Sequence, residues 1–279
     1  MDGLWFTEIH GENYGITIKV KNVLKSINTK FQKLDVYETE GFGKLLTLDD
    51  LVMVTERDEF IYHEMIAHVP LFCHNLPETV LVIGGGDGGT VREILKHKTV
   101  KHIDMVEIDE EVVIAAKEFF PSLSCELDNP KVKLHFKDGV EFVKNKKDLY
   151  DIIIIDSTDP INVGEGLFTT EFYKNCFNAL KDGGILTNQS ESPFHNADWV
   201  TNIYKKLNKV FPIVKMYIAS VPTYPAGIWS FAFCSKNVDP LKNFNENRYN
   251  EYRLKLKYYN NEIHKACFAV PNFAKELIF

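Results

Sequence analysis

The feature that most constrains the fold is a regular alternation of short apolar segments and helical patterns that begins at residue 79. Apolar segments lie at residues 79–86, 102–109, 132–136, 150–156 and 183–189, and a segment with helical character follows each of them. Strands separated by helices pair in parallel and form a sheet that is covered on both faces. The central part of the chain therefore predicts a doubly wound α/β sheet.

The last two apolar segments, residues 213–220 and 228–235, are joined by only a short turn region. A short connection favours antiparallel neighbours, since a parallel pair needs a long crossover. Five parallel strands that end in an antiparallel pair indicate a methyltransferase-like Rossmann sheet rather than a dehydrogenase. The predicted fold class is therefore α/β with this sheet at its centre.

The first 55 residues follow a different pattern, with short strands joined by turns. Residues 16–24 alternate apolar and polar side chains, as a half-buried strand does. Residues 40–56 are typical of a hairpin, with Asp49 and Asp50 at its turn. This region predicts a small all-β unit.

From Arg57 the pattern becomes helical, with an apolar stripe that is expected to stop near Pro70. The change of pattern divides the chain into two predicted domains. Residues 1–56 are an N-terminal β-strand domain, and residues 57–279 are a Rossmann-like catalytic domain.

The charge balance argues against a nucleic-acid partner. The chain has 32 Lys and Arg against 39 Asp and Glu, a formal net charge of −7, without a basic run. Phosphates would be repelled by such a chain, whereas a cationic ligand would be attracted. The longest apolar runs are far shorter than the ~20 residues that a membrane helix needs, so no membrane partner is expected either.

The cysteine and histidine spacings argue against a disulfide framework and against a metal. The five cysteines are odd in number, far apart and never in a C-x-x-C pair. His63 and His68 are five residues apart, whereas a zinc-protease helix places its two histidines four apart. The N-terminus lacks a basic segment followed by an apolar stretch, so no signal peptide is predicted. These features indicate a reduced, cytoplasmic protein without a metal.

A run of glycines, from Gly84 to Gly89 with Asp87 inside it, follows the first strand of the alternation. Glycines let the backbone turn sharply and let a ligand approach closely, so the run favours a nucleotide-type ligand over a plain strand–helix turn. Asp87 would repel a diphosphate and suits a positively charged ligand. Thr90 and Glu93 have the spacing of a capping box for the helix that follows.

Acidic residues also follow the next two strands. Glu107 lies about 20 residues beyond the glycines, where an acidic group hydrogen-bonds ribose hydroxyls. Asp138 and Gly139 follow the third strand and suit an adenine amino group and the ring edge beside it. Taken singly, Glu107 could be a solvated carboxylate and Asp-Gly only a turn. Three acidic groups at the same sheet edge favour a nucleoside site.

The fourth strand ends in the most unusual carboxylate of the chain. Four isoleucines lead directly into Asp156, and Asp159 follows three residues later. Burying an unpaired carboxylate costs several kcal/mol, so Asp156 is expected to be paired or functional. Residues 157–169 exceed the ~2–6 residues usual for such a connection, which predicts a lid that orders on ligand binding.

At "GGGDGGTVREILKH", "DSTDP" and "PTYPAG" the sequence resembles the polyamine aminopropyltransferases, and among them the spermidine synthases. The resemblance extends over the full length and includes "ERDEFIYHEM" and "YYNNEIHKACFAVP". It implies transfer of an aminopropyl group from decarboxylated S-adenosylmethionine to putrescine, giving spermidine and methylthioadenosine. It also implies a homodimer or homotetramer that needs no metal and no cofactor, since the donor is a co-substrate.

The resemblance assigns residues to the nucleoside and the donor. Glu107 would bind the ribose and Asp138 the adenine amino group, with Asp87 facing the ammonium of the aminopropyl group. The residues implied to hold donor or nucleoside are Gln32, Asp87, Glu107, Asp138, Gly139 and Val163. Val163 marks a departure, because the family commonly has a proline at this point of the lid.

The resemblance likewise assigns an amine channel. Asp156 would act on the attacking nitrogen as the catalytic residue. The residues implied to bind the amine are Tyr62, His63, Asp87, Asp156, Asp159, Gln189 and Tyr224.

Three alternatives remain open from the sequence. The acceptor could be another amine, such as cadaverine or agmatine. The chain could instead be an amine methyltransferase that uses S-adenosylmethionine itself, although Asp87 disfavours the carboxylate of that donor. The third alternative is a non-catalytic regulatory or polyamine-binding module, which could lose Asp87 or Asp156 without penalty, yet both are present.

Overall fold

The computed structural model describes residues 3–10, 13–159 and 162–278. Its N-terminal part is a five-stranded antiparallel sheet in sequential order. The strands are β1 (Leu4–His10), β2 (Tyr14–Asn28), β3 (Lys33–Thr39), β4 (Lys44–Leu48) and β5 (Leu51–Thr55). The predicted hairpin is β4–β5, and its turn residues Asp49 and Asp50 have φ values of 48° and 62°. Aspartate tolerates this left-handed conformation better than most residues do, which explains the Asp-Asp pair in a two-residue hairpin turn.

The second sheet has seven strands in the order β11-β12-β10-β9-β6-β7-β8. They are β6 (Thr79–Gly84), β7 (His102–Glu107), β8 (Val132–Phe136), β9 (Tyr150–Asp156), β10 (Leu180–Gln189), β11 (Ile213–Ala219) and β12 (Trp229–Ser235). Strands β6 to β10 are parallel, while β12 lies between β10 and β11 and is antiparallel to both. The predicted fold class, including the antiparallel pair at the end of the chain's strands, is confirmed.

Helices cover both faces of this sheet. They are α1 (Glu59–Cys73), α2 (Gly89–Leu95), α3 (Glu110–Phe119), α4 (Pro121–Ser124), α5 (Gly139–Val143), α6 (Thr170–Ala179), α7 (Ala197–Leu207), α8 (Glu246–Tyr252), α9 (Asn261–Ala266) and α10 (Asn272–Lys275). The isoleucines of β9 pack on both faces of the sheet. Ile152 and Ile154 belong to the apolar cluster on one face, and Ile153 and Ile155 belong to the cluster on the other. A strand buried on both faces is therefore apolar throughout, without alternation.

Helix α1 differs from its prediction in length and in burial. It continues through Pro70 to Cys73, and its residues from Ile61 onward are buried on every side rather than along one stripe. Pro70 removes only one hydrogen bond close to the helix end, and the amide of His74 still donates to the carbonyl of Pro70 at 3.0 Å. The C-terminal segment covers the outer side of α1, which the sequence patterns did not indicate.

A buried carboxylate connects the two sheets. Asp58, between β5 and α1, accepts a hydrogen bond from the Thr55 hydroxyl at 2.5 Å. Its second oxygen accepts from the amide and the hydroxyl of Thr223, at 3.0 and 2.7 Å. The domain boundary placed between residues 56 and 57 stays a prediction. Within the described ranges, no helix is long and apolar enough to cross a membrane.

Candidate active site

The strand ends that carry the predicted acidic residues meet at one edge of the second sheet. Gly84 at the end of β6 pairs with Asp156 at the end of β9, and the amide of Gly85 donates to the Asp156 carbonyl at 2.8 Å. A Cβ atom at Gly84, where φ is +83°, would lie 2.0 Å from that carbonyl oxygen. Only glycine lets the loop cross the end of β9 this closely.

Two neighbouring cavities open at this edge. The larger one, about 190 Å³, is lined by these predicted site residues: Gln32, Tyr62, His63, Asp87, Glu107, Asp138, Gly139, Asp156 and Tyr224. The smaller one, about 40 Å³, is lined by the predicted residues Tyr62, Asp159, Gln189 and Tyr224. Both cavities border Tyr62 and Tyr224, so the predicted amine residues divide between two spaces with a common wall.

Part of the predicted lid lies outside the described residues. These are residues 160 and 161, together with the side chains of Asn162 and Val163, whose backbone belongs to a 3-10 helix from Asn162 to Phe168. Gly164, Gly166 and Leu167 line the larger cavity. The contact of Val163 with a nucleoside and the ordering of the lid stay predictions.

Asp156 is paired on both carboxylate oxygens. The Tyr62 hydroxyl donates to Oδ1 at 2.8 Å, and the Thr90 hydroxyl donates to Oδ2 at 2.6 Å. Burial, followed by the charge of Asp87, raises the pKa of Asp156 above its ordinary value, while His63 and the two hydroxyl donors act against this rise. The group is thus a carboxylate with increased proton affinity, held in a fixed orientation.

The Thr90 contact corrects the capping-box prediction. Helix α2 begins after Gly88, which has a φ of 87° and no side chain to cap the helix. The Thr90 hydroxyl reaches Asp156 instead, and Glu93 is buried and bonded to His68 at 3.0 Å. The Thr-x-x-Glu spacing indicated a contact between helix start and Glu93, whereas Thr90 binds a partner distant in sequence and Glu93 binds the distant His68 together with Arg92 and Lys96.

Asp87 and His63 form a buried charged pair beside Asp156. The His63 ring contacts Asp87 through Nε2 at 3.3 Å and Glu59 through Nδ1 at 2.7 Å. Burial disfavours the charged ring, but the two carboxylates outweigh it and raise the pKa of His63 well above its ordinary value. Burial also opposes ionisation of Asp87, but His63 and the Gly89 amide hold its pKa below the ordinary value. Asp87 is therefore a carboxylate that faces the larger cavity.

Arg92 anchors this pair from α2, where its guanidinium binds both oxygens of Glu59, at 3.2 and 2.8 Å. Gly89 makes room for the His63 ring, because a Cβ atom at residue 89 would lie 2.3 Å from the ring. Sequence reasoning did not identify Glu59 or Arg92, since their roles depend on the packing of α1 against α2.

Glu107 lies at the end of β7, where it borders the larger cavity. Its Oε1 accepts the backbone amide of Asp109 at 3.0 Å. Burial nevertheless raises the pKa of Glu107 to about 7. Gln32 reaches this region from the N-terminal sheet and donates to Asp109 at 3.1 Å, while Asp138 caps α5 by accepting from the Val140 amide at 2.7 Å.

The N-terminal hairpin supplies one wall of the larger cavity. Leu46, Leu48 and Met53 from β4 and β5 line it together with the glycine loop. The Tyr224 hydroxyl donates to the Met53 carbonyl at 2.7 Å, which joins this wall to the segment that precedes β12. The sequence predicted these strands but gave no sign that they line a ligand site.

Acidic side chains line the smaller cavity. Asp159 lines this cavity, Glu191 behind it is completely buried, and burial raises the pKa of both carboxyl groups above the ordinary value. Glu8 from β1 borders the same cavity and pairs with His10 at 2.6 Å. Glu8 and Glu191 were missed, because strand alternation alone does not bring β1 next to residue 159.

Two family profiles match the chain in succession. Residues 4–56 match the spermidine synthase tetramerisation domain, and residues 59–246 match the spermine/spermidine synthase domain. The two matches together cover most of the chain.

Curated proteins and solved structures are similar over nearly the whole length. A polyamine aminopropyltransferase of Alkaliphilus metalliredigens is 51% identical over 277 residues, which cover 99% of this chain and 98% of that protein. A polyamine aminopropyltransferase of Clostridioides difficile is 51% identical over 278 residues, with the same coverage.

The spermidine synthase of Thermotoga maritima superposes with a TM-score of 0.96 at 43% identity and covers 100% of this chain and 95% of its own. A spermidine synthase in complex with the transition-state analogue AdoDATO superposes with a TM-score of 0.97 at 43% identity, covering 100% and 96%.

Proposed function

The chain belongs to the spermine/spermidine synthase family of aminopropyltransferases, and we propose that it transfers the aminopropyl group of decarboxylated S-adenosylmethionine to putrescine. The products are spermidine and methylthioadenosine. One observation carries the proposal: Asp156 and Asp87 border the larger cavity close to where it adjoins the small, acid-lined one. This arrangement suits a reaction between a cationic nucleoside and a diamine.

The donor would occupy the larger cavity. Glu107 is placed to accept hydrogen bonds from ribose hydroxyls, and Asp138 and Gly139 border the space for the adenine. The ionised Asp87 would hold the ammonium of the aminopropyl group. The similarity to a spermidine synthase that binds a transition-state analogue supports this assignment.

The transfer itself is a displacement at carbon. The lone pair of the amine nitrogen forms the new C–N bond, and the C–S bond electrons return to the sulfonium sulfur, which leaves as neutral methylthioadenosine. The sulfonium already activates the carbon, so the proposal needs neither a metal nor a redox cofactor. The protein must instead align the reactants and supply a neutral nitrogen.

Deprotonation is the demanding part of this chemistry. An alkyl ammonium resembles lysine, with a pKa near ~10.4, so about one molecule in 10³ is neutral at pH 7. Freeing the lone pair at pH 7 therefore costs about 4.6 kcal/mol, for ~3.4 pKa units at ~1.36 kcal/mol each. In the proposal, Asp156 accepts the proton, and its raised pKa narrows the gap between base and ammonium.

The smaller cavity would hold the other end of the diamine. Asp159 and Glu8 both line it, so a second ammonium would meet acidic side chains there. Glu8 and His10 border the smaller cavity, whose volume is about 40 Å³. This small volume favours a short acceptor over one with a bulky end group. Both features support putrescine.

The test is an acceptor panel with decarboxylated S-adenosylmethionine, read out by mass spectrometry. Putrescine is expected to give a higher kcat/KM than cadaverine, agmatine or spermidine. A higher value for any of these would contradict the assignment of the acceptor. The same panel with S-adenosylmethionine as the donor tests the methyltransferase alternative, and methylated amines there would favour it.

Nucleoside binding is expected to depend on pH through Glu107. Its carboxylate form can accept from both ribose hydroxyls, while protonation removes one acceptor. With a pKa of about 7, the affinity for methylthioadenosine should rise about tenfold from pH 6 to pH 8 and then level off. Isothermal titration over this range measures it. Glu107→Gln should bind more weakly at pH 8 and show a flat profile; a pH dependence retained in that variant would exclude Glu107 as its source.

The proposal includes a homo-oligomer, either a dimer or a tetramer, in the cytoplasm. The match of residues 4–56 to a tetramerisation domain supports assembly through the N-terminal sheet. In that sheet β1 is an edge strand, and Leu4 and Ile9 on it are 51% and 62% exposed. An exposed edge with apolar side chains is suited to pairing with another copy.

A further inference from the structure

Thr90 contacts the reaction centre only through another side chain. Its hydroxyl donates to Oδ2 of Asp156 at 2.6 Å, within the range of charge-assisted hydrogen bonds from a hydroxyl to a carboxylate. The Thr90 residue is completely buried, with an exposed fraction of 0%. Its hydroxyl therefore reaches neither cavity, and any effect that it has on an amine must pass through Asp156.

The path of the chain explains why residue 90 reaches this carboxylate. The glycine loop crosses the end of β9, where Gly85 bonds the Asp156 carbonyl, and α2 begins immediately afterwards. This brings the first turn of α2 onto the carboxylate side chain. A valine would fill the same volume as the threonine but would leave Oδ2 without its hydroxyl donor.

Several charged or titratable groups surround the Asp156 carboxylate. They are Tyr62 and His63 on α1, Asp87 in the glycine loop, Glu107 at the end of β7, and Tyr224 in the segment before β12. Asp87 and Glu107 oppose ionisation of Asp156, as burial does. The hydroxyl donors Tyr62 and Thr90 favour it, because both hydrogen bonds stabilise the charged form.

We propose that Thr90 is a positioning residue that keeps Asp156 ionised and oriented, so that it can accept a proton from the amine at neutral pH. The inference rests on the proposed function, in which Asp156 is that acceptor. Tyr62 borders both cavities and would contact the amine directly. Thr90 is the donor that stays in place when substrates enter and leave.

The test compares the pH dependence of Thr90→Val, Thr90→Ser and the parent enzyme. Without the hydroxyl, Asp156 should stay protonated to higher pH, by about one unit for one lost hydrogen bond to a charged group. The kcat/KM of Thr90→Val should therefore be about tenfold below the parent on the acidic limb of the profile, where the activity of both proteins still rises with pH, and should approach the parent value above that limb. Thr90→Ser keeps the hydroxyl and should follow the parent.

A decrease of kcat/KM in Thr90→Val that is the same at every pH would overturn the inference. A pH profile of Thr90→Ser that matches the profile of Thr90→Val would overturn it as well. Methylthioadenosine affinity is the folding control and should be close to the parent value in both variants. Whichever acceptor gives turnover in the panel can be used, so the result does not depend on putrescine.

A second measurement separates this inference from the proposed function. The carboxyl carbon of Asp156 can be titrated by NMR in the free protein, without any turnover. Its midpoint should lie about one pH unit higher in Thr90→Val than in the parent. An unchanged midpoint would refute the role of Thr90 even if Asp156 is the base, whereas a displaced midpoint in a protein without transferase activity would refute the proposed function alone.

Discussion

Replacing Asp156 by asparagine is expected to lower kcat by ~10²–10⁴, the range typical of losing a general base. Asparagine keeps the shape of the side chain but cannot take up the proton of the ammonium. The nucleoside contacts come from Glu107 and Asp138 on other strand ends, so the affinity for methylthioadenosine should change by less than about threefold. The measurement is kcat at saturating donor and acceptor, with nucleoside affinity determined in parallel.

The activity that remains in Asp156→Asn should rise with pH, about tenfold per unit below the pKa of the amine, since solvent must now supply the neutral acceptor. In the parent the rise should level off earlier. Asp128→Asn is a matched control, because that exposed carboxylate pairs with Lys117 on the surface, and it should leave both profiles unchanged. Parallel profiles with a few-fold offset would show that Asp156 merely positions the amine.

Asp87→Asn should weaken the binding of the donor much more than the binding of its product, methylthioadenosine. Decarboxylated S-adenosylmethionine carries an ammonium that the ionised Asp87 would hold, whereas methylthioadenosine lacks it. A hydrogen bond to a charged group contributes roughly 1.5–3 kcal/mol, which corresponds to about 10- to 100-fold in Kd. The donor should therefore bind that much more weakly, while the affinity for methylthioadenosine should change by less than about threefold. Isothermal titration with both ligands measures the two effects.

His63 makes the interpretation of Asp87→Asn more demanding, because its ring loses one of two carboxylate partners. Its other partner, Glu59, is still held by Arg92, so the ring should stay in place. The same titrations on Asp128→Asn give the baseline for removing one negative charge from the protein. Equal losses of affinity for donor and product would contradict the proposal that Asp87 binds the ammonium.

The second sheet could be predicted because its signals are local. An apolar run such as that of β9, followed by a helical pattern, identifies a strand that is buried on both faces wherever it lies in the sheet. The burial of α1 could not be predicted in the same way. Its polar residues suggest a solvated face, and only the position of the C-terminal segment shows that Glu64 accepts the amides of Lys257, Tyr258 and Tyr259.

The residues of the site likewise fall into those that local sequence signals predicted and those that depend on tertiary packing. Asp87, Glu107, Asp138 and Asp156 could be predicted as a group, because the carboxyl ends of parallel strands meet at one edge of the sheet. Thr90 was misinterpreted as a capping residue, since its partner is 66 positions away in the chain. The neighbourhood of Glu8 and Asp159 depends on how the two sheets pack, and no periodic pattern in either segment reports that packing.

The shared wall of the larger cavity also bears on how the protein unfolds. Detaching the N-terminal sheet would expose Leu46 and Leu48, which are buried, and would open the cavity between hairpin and glycine loop. It would also remove the Thr55 hydroxyl from Asp58, a loss of about 1–3 kcal/mol for a buried group left unpaired. We therefore expect the two sheets to unfold together, and removal of residues 1–56 to cost the Rossmann-like portion one wall of its ligand site.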